Sequence, residues 1–481
     1  MIFSKTLRQV VAGALTTVTT LSTVAVVPQT ASAQSQVQRP PQFVLMAFDG
    51  SQSYSMWNAT RDFARAQTQS GKLTKFTYFI SCVYYITKTK GRELYTAARH
   101  ANSSAIGWGS DAADVAGRID LTSGAKDEGH EIASHACGHW DAGADNWTQG
   151  EWETEFKFFN QFVFDAYRIN GLPASKKYAT GYSFTPNDIV GFRAPQLGVT
   201  PGLWPTINKF GMRYDTSKTA SPTYWPEKID GRWNFPLANL VIAGSGKKTL
   251  SMDYNFYYAD SKGEPDPDHA AVYEEQMVQT YLKYFENNYN GNRAPVHIGH
   301  HFSLWNGGAY WKAMQRFASK VCGLPEVKCV TYKELADYMD KVDATTLAAY
   351  KRGDFAKLQP VRLADANFNP ATVVASNTPT GVETMANETM NSLTAPTIPG
   401  MDLNDWSRLV DLAKRGATSS RDVRAINKEA REILRRSLEI EEPIEAEMQG
   451  IKQTDMEDRV NQGDQPEAHL DEFLVDLGIP H

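Results

Sequence analysis

Phe43-Val44-Leu45-Met46-Ala47-Phe48 is a strand-like run of six apolar residues that ends on Asp49. Six more short runs follow, separated by helix-like sequence: Phe76 to Ser81, Glu131 to His135, Val190 to Arg193, Met212 to Asp215, Pro295 to His301 and Lys328 to Tyr332. Such alternation implies an α/β fold of parallel strands joined by helical crossovers. In a barrel of that kind the working residues sit just beyond the C-terminal ends of the strands. Asp49, the pair His135 and His139, Arg193, Asp215 and His301 each end or follow one of the runs.

Outward from this core the chain changes character. Lys5 and Arg8, an apolar threonine-rich run from Val10 to Val27, and Ala31-Ser32-Ala33 read as a signal peptide over 1–33, cleaved after Ala33. No later stretch is apolar enough to span a membrane, so the mature chain is expected in the periplasm or outside the cell. In an oxidising compartment four cysteines pair. Cys322 and Cys329 flank the turn-forming Gly323-Leu324-Pro325-Glu326 and are expected to bridge. Cys82 and Cys137 form the other candidate pair, with buried thiols as the alternative. The motifs fall in a domain spanning 40–345. The stretch 361–400 reads as a linker, rich in Asn, Thr, Pro and Ala from Ala364 to Gly400. Apolar residues at helical spacing on either side of Gly416 suggest a C-terminal α-helical hairpin at the start of 401–481, with an acidic tail after it. A net charge of -6, with no basic stripe and no phosphate-cradling glycine loop, argues against nucleic acid as a partner. Nothing in the sequence sets the oligomeric state.

The chemical signal begins at His135-Ala136-Cys137-Gly138-His139. Two histidines four apart can aim both imidazoles at one metal ion and leave other positions to water. Taken alone such a pair is as often ordinary surface or core. Its context is Phe48-Asp49, Gly191-Phe192-Arg193-Ala194-Pro195, Arg213-Tyr214-Asp215-Thr216-Ser217 and His300-His301-Phe302, in this order.

With these five motifs the chain resembles the polysaccharide deacetylases of carbohydrate esterase family 4, the NodB-homology group, over roughly residues 42 to 340. Asn292-Arg293-Ala294-Pro295 leading into His301, and the cysteine-flanked segment into Val330-Thr331, look most like the chitin deacetylases. The resemblance implies a distorted (β/α) barrel and removal of N-acetyl groups from an amino-sugar polysaccharide, peptidoglycan or chitin. It implies a divalent metal, zinc in the first instance, on His135 and His139. Asp49 would be the general base, Arg193 the cation that holds it, His301 the general acid and Asp215 the carboxylate that orients that acid. His300 and His297 are rivals of His301, and the spacing from Pro295 favours His301.

One position departs from the family: where two adjacent aspartates stand there, the second a metal ligand, this chain has Asp49-Gly50. The missing ligand could come from Asp49 itself, from Asp141 or from water. Three readings follow: an active deacetylase with altered coordination, an inactive glycan-binding protein on the same fold, and an O-acetyl esterase or other amidase. Retention of a base, its partner and an acid favours the first. Trp140, Trp305, Trp225 and Trp233 are candidates to stack on sugar rings, though tryptophans more often serve cores.

Overall fold

The computed structural model describes residues 37–97, 99–173 and 181–373. The leader, the helical hairpin, the acidic tail and most of the linker fall outside the described residues. Within them the strands are β1 (Gln42–Asp49), β2 (Phe76–Ile80), β3 (Glu131–Ser134), β4 (Gly191–Phe192), β5 (Tyr214–Asp215), β6 (Thr219–Ala220), β7 (Glu227–Ile229), β8 (Arg232–Asn234), β9 (Leu237–Val241), β10 (Lys248–Leu250), β11 (Val296–His301) and β12 (Val327–Cys329). The main sheet runs β11-β1-β2-β3-β4-β5-β8-β7. Every pairing in it is parallel except the terminal hairpin of β7 with β8. It is an α/β fold, a distorted barrel left open between β11 and β7 among the described residues. β12 wedges between the starts of β1 and β2, pairing Gln42–Val44 on one side and Thr74 on the other.

Why this sequence makes this wall is clearest in β1, which is buried along its whole length. Phe43, Leu45 and Ala47 enter an inner cluster with Phe79, Tyr214, Phe235 and Tyr332. Val44, Met46 and Phe48 join an outer cluster with Trp57, Phe76 and Tyr78 beneath the helices. A strand alternates its side chains with a period of two, so Asp49 continues the inner series and its carboxylate arrives at the mouth of the barrel. β11 does the same: its register sets His301 opposite Asp49. The helices that cover the outer face carry their own start signals. Ser53 caps the helix Tyr54–Gln69 by accepting from the Met56 amide, and Thr148 with Glu151 forms a capping box on Gln149–Phe164.

All seven sequence runs correspond to strands of the main sheet. The region from 219 to 250 adds β6, β9 and β10 as a separate three-stranded sheet that the apolar pattern does not announce. Its exit, Ser251-Met252, lies along β11, with the Gly299 amide donating to the Ser251 carbonyl at 2.8 Å. A Cβ at Gly299 would meet Met252 Cε at 2.6 Å, so glycine permits this close approach. Both expected disulfides are formed, Cys82–Cys137 and Cys322–Cys329. No helix among the described residues is long and apolar enough to cross a membrane. Residues 361–373, which composition places in a linker, are tied to the helix Ala270–Asn290: the Val361 amide donates to Asn290, and the Ala364 amide to Glu286.

Candidate active site

Five of the six predicted residues, Asp49, His135, His139, Arg193 and His301, gather at one end of the barrel. A small cavity opens there, lined by Asp49, His135, His139 and His301 together with Gln196, Leu197, Met252, Tyr254 and Asn255. Arg193 lies beneath it, fully buried, and reaches β1, β2 and the residue that follows β5. Its Nη1 donates to Asp49 Oδ1 at 2.6 Å, its Nε to Thr216 Oγ1 at 2.8 Å, and its guanidinium lies 4.4 Å from the centroid of the Phe79 ring. Burial would lower the Arg193 pKa, but the charge of Asp49, the neighbouring Tyr332 and Tyr214 hydroxyls and the hydrogen bond to Asp49 together outweigh it and raise the value.

His135 follows β3 and donates from Nδ1 to the Arg193 carbonyl at 2.8 Å, which leaves Nε2 as the nitrogen with a lone pair. The rings of His135 and His139 stand 5.1 Å apart. Burial depresses the pKa of His135 to about 3 and that of His139 well below its usual value, so both are neutral imidazoles at physiological pH. Around them the backbone is bent in ways L-residues rarely adopt: Ala136, His139, Gln196 and Leu197 all have φ between 54° and 59°.

His301 is oriented by a carboxylate that the sequence reading missed. Asp253 Oδ1 accepts from His301 Nδ1 at 2.7 Å, and its Oδ2 accepts from the His301 amide at 2.8 Å. Burial would raise the Asp253 pKa, but the charges of His301 and His300 and the hydrogen bonds from His301 bring it below the ordinary carboxylate value. Asp215, expected in this role, stands on β5 and does something else. Its Oδ1 accepts from Ser217 Oγ at 2.6 Å, and Ser217 Oγ in turn accepts from the Ala194 amide at 2.8 Å. It braces the backbone beside Arg193. The reason is topological: β5 lies across the barrel from β11, whereas Ser251-Met252 runs along β11 and places Asp253, the first residue of the helix Asp253–Ser261, against His301. Leu250-Ser251-Met252-Asp253 is one more short run ending on an aspartate, which was the available signal.

The rival histidines face elsewhere. His300 points to the outer layer, with Nε2 3.4 Å from Tyr281 Oη, and His297 stacks on Tyr332 inside the barrel. Asp141, offered as a third metal ligand, caps a local turn by accepting from the Ala144 amide at 3.0 Å and does not line the cavity. Trp225 and Trp233 are core residues whose indole N–H groups bond Asn292 and Asp340. Trp305 is buried against Tyr257; Trp140 is half-buried and stacks on His100.

The donor set fits a metal in part. Two neutral imidazoles, one with its second nitrogen anchored on a carbonyl, suit a divalent ion. Among the described residues, however, no three His, Cys, Asp or Glu side chains converge as a metal-binding group, where catalytic zinc usually takes three protein ligands. Gly50 has φ 81°, a conformation that favours glycine, so an aspartate there would be strained. The site fits an ion held by two imidazoles and water, and does not fit a three-ligand site.

The buried histidines are expected to make the fold acid-sensitive. Burial lowers His130 and His300 to about 4, and His135 and His297 to about 3, against about 6.5 in an unfolded chain. Depressed values mean that the full stability is present above about pH 6.5 and is lost as pH falls, because the unfolded chain takes up protons first. The unfolding free energy obtained from urea titration is expected to drop between about pH 7.5 and about pH 5.5, by roughly 1 kcal/mol per histidine, and the midpoint with it. A level midpoint would show that these imidazoles are solvated.

No family model matches the sequence, and no curated protein matches it. Solved structures that the chain resembles include a protein described as a polysaccharide deacetylase from Mycobacterium smegmatis, with 15% identity and a TM-score of 0.37 over 68% of this chain and 97% of that one. A family 4 carbohydrate esterase from Streptomyces lividans, solved in complex with acetate, aligns at 14% identity and a TM-score of 0.30 over 60% and 90%. A family 4 pseudoenzyme from Bacillus anthracis aligns at 10% identity and a TM-score of 0.34 over 62% and 67%. Overlaps of this size decide neither activity nor substrate.

Proposed function

We propose that this chain is an exported hydrolase that removes acetyl groups from an N-acetylated amino-sugar polysaccharide, peptidoglycan or chitin. The observation that supports this most is the pairing of two supported acid–base groups on one cavity: Asp49 held by Arg193, and His301 held by Asp253. A glycan-binding protein has no use for both.

An amide is a poor electrophile with a poor leaving group, so its hydrolysis needs an activated water and a proton delivered to nitrogen. Asp49 takes the proton of the attacking water as oxygen bonds to the acyl carbon. Arg193 aims that carboxylate through the hydrogen bond from its Nη1. With His301 Nδ1 engaged by Asp253, delivery of a proton to the departing amine falls to Nε2, and the Asp253 charge stabilises the imidazolium that must precede it. The carbon–nitrogen bond breaks, leaving acetate and a free amine. His135 and His139 would hold a divalent ion, zinc in the first instance, which when bound polarises the acyl oxygen and lowers the pKa of a bound water. Both disulfides suit an oxidising compartment, in line with export.

The test is acetate release by the purified protein from N-acetylated chitooligosaccharides and from peptidoglycan. Release is expected from one of them, falling on addition of a chelator and returning with zinc, because two imidazoles hold an ion weakly. A protein that binds either polymer and releases no acetate under any divalent ion is a binding protein instead, a reading that the missing third ligand favours.

A further inference from the structure

The segment between the two candidate metal histidines is held from outside by a buried carboxyl. Glu155 lies on the apolar face of the helix Gln149–Phe164, in a row with Trp152, Phe156 and Phe159, and is 1% exposed. One of its oxygens accepts from the amides of both Cys137 and Gly138, at 2.9 and 2.7 Å, and the other accepts from Tyr95 Oη at 2.8 Å. Consecutive backbone N–H groups converge on one oxygen where the chain passes through a left-handed residue, and Ala136 just before them has φ 57°. The outer carbonyls of the same segment are also taken: Ala136 accepts from the Cys82 amide and Gly138 from the Ala105 amide. The Cys82–Cys137 disulfide fastens the middle. At Gly138 a Cβ would meet Tyr95 Oη at 2.2 Å, so the fit leaves no room for slack.

We propose that Glu155 is a positioning residue for the imidazoles of His135 and His139, acting as a hydrogen-bond acceptor for the bent segment that joins them and not through its charge. It touches neither ring and neither reacting atom. Its work is to fix the left-handed turn at Ala136, and with it the angle at which His139 leaves the segment. A glutamine in its place keeps one carbonyl oxygen for the two amides and turns its N–H2 toward Tyr95 Oη, which can accept as well as donate. An apolar residue of similar length leaves both amides unsatisfied.

The kinetic part of the test rests on the deacetylase reading; the spectroscopic part does not. The full-length chain, labelled with 15N-histidine and freed of metal, is compared as wild type, Glu155→Gln, Glu155→Met and Tyr95→Phe, with side-chain nitrogen signals assigned by single His→Gln variants. Glu155→Gln is expected to keep the His135 and His139 signals in place. Glu155→Met shifts those two while leaving His130 and His297 unmoved, and Tyr95→Phe, the milder change if Glu155→Met does not fold, shifts the same two by less. Where acetate release is measurable, Glu155→Met lowers kcat about 10- to 100-fold with KM unchanged, the cost of misplaced reacting groups, and Glu155→Gln restores it. His135 and His139 signals that stay put in Tyr95→Phe and in every folded Glu155 variant overturn the proposal. A Glu155→Gln protein as displaced as Glu155→Met overturns the acceptor account in favour of charge.

Discussion

Replacing Asp253 by asparagine is expected to lower kcat for acetate release by about 10^2- to 10^4-fold, as much as removing the imidazole in His301→Ala. The carboxylate accepts from both the ring and the amide of His301, so its loss removes the orientation of the acid and the charge that favours its protonated form. Neither residue belongs to the histidine pair proposed for the metal, and zinc bound per chain is expected to stay at the wild-type level in both variants. Asp215→Asn supplies the contrast: it disturbs Ser217 and the backbone beside Arg193, and its effect is expected to appear in stability more than in the acid's role. A pH–rate profile separates the cases, since only loss of Asp253 shifts the limb that reports His301. If Asp253→Asn keeps near-wild-type turnover, the acid is not His301.

Arg193→Met is expected to destabilise the fold by about 3–5 kcal/mol, the usual result of leaving one member of a buried ion pair alone. Arg193 is 0% exposed and Asp49 2% exposed, so the stranded carboxylate is left almost wholly out of bulk solvent, with only its cavity side open. Lysine is no substitute, because the guanidinium donates to Asp49 and to Thr216 from different nitrogens. Urea unfolding of Arg193→Met, Asp49→Leu and the double variant checks the assignment. The double variant is expected to be more stable than Arg193→Met alone, since apolar replacement of both partners relieves the buried charge. Additive losses would show that Arg193 acts through Phe79 and Thr216 and not through Asp49.

Much of this site was legible because parallel strands deliver their last residue to one end of a barrel. Asp49, His135, Arg193 and His301 end or follow apolar runs, and period-two alternation carries the first and last of them to the same inner face. The same logic misassigned Asp215, which also ends a run. Which strand-end carboxylate meets His301 depends on which segment lies beside β11, and that segment leaves a small mixed sheet of two- to five-residue strands that does not stand out in the sequence. Trp225 and Trp233 followed composition into the core, as tryptophans do. Glu155 was hidden for the opposite reason: an acidic residue at a helical position that should be apolar is a signal, but its partners are backbone amides, which no sequence pattern records.

Asp49→Asn probes the central assignment most directly, because asparagine keeps the shape and the Arg193 contact while removing the capacity to take a proton. The measurement is the rate of acetate release by this variant and by wild type on the same N-acetylated oligosaccharide, with bound zinc determined on both. The expected result is wild-type zinc content and a rate lower by about 10^2- to 10^4-fold. An Asp49→Asn protein that releases acetate as fast as the wild type would contradict the account.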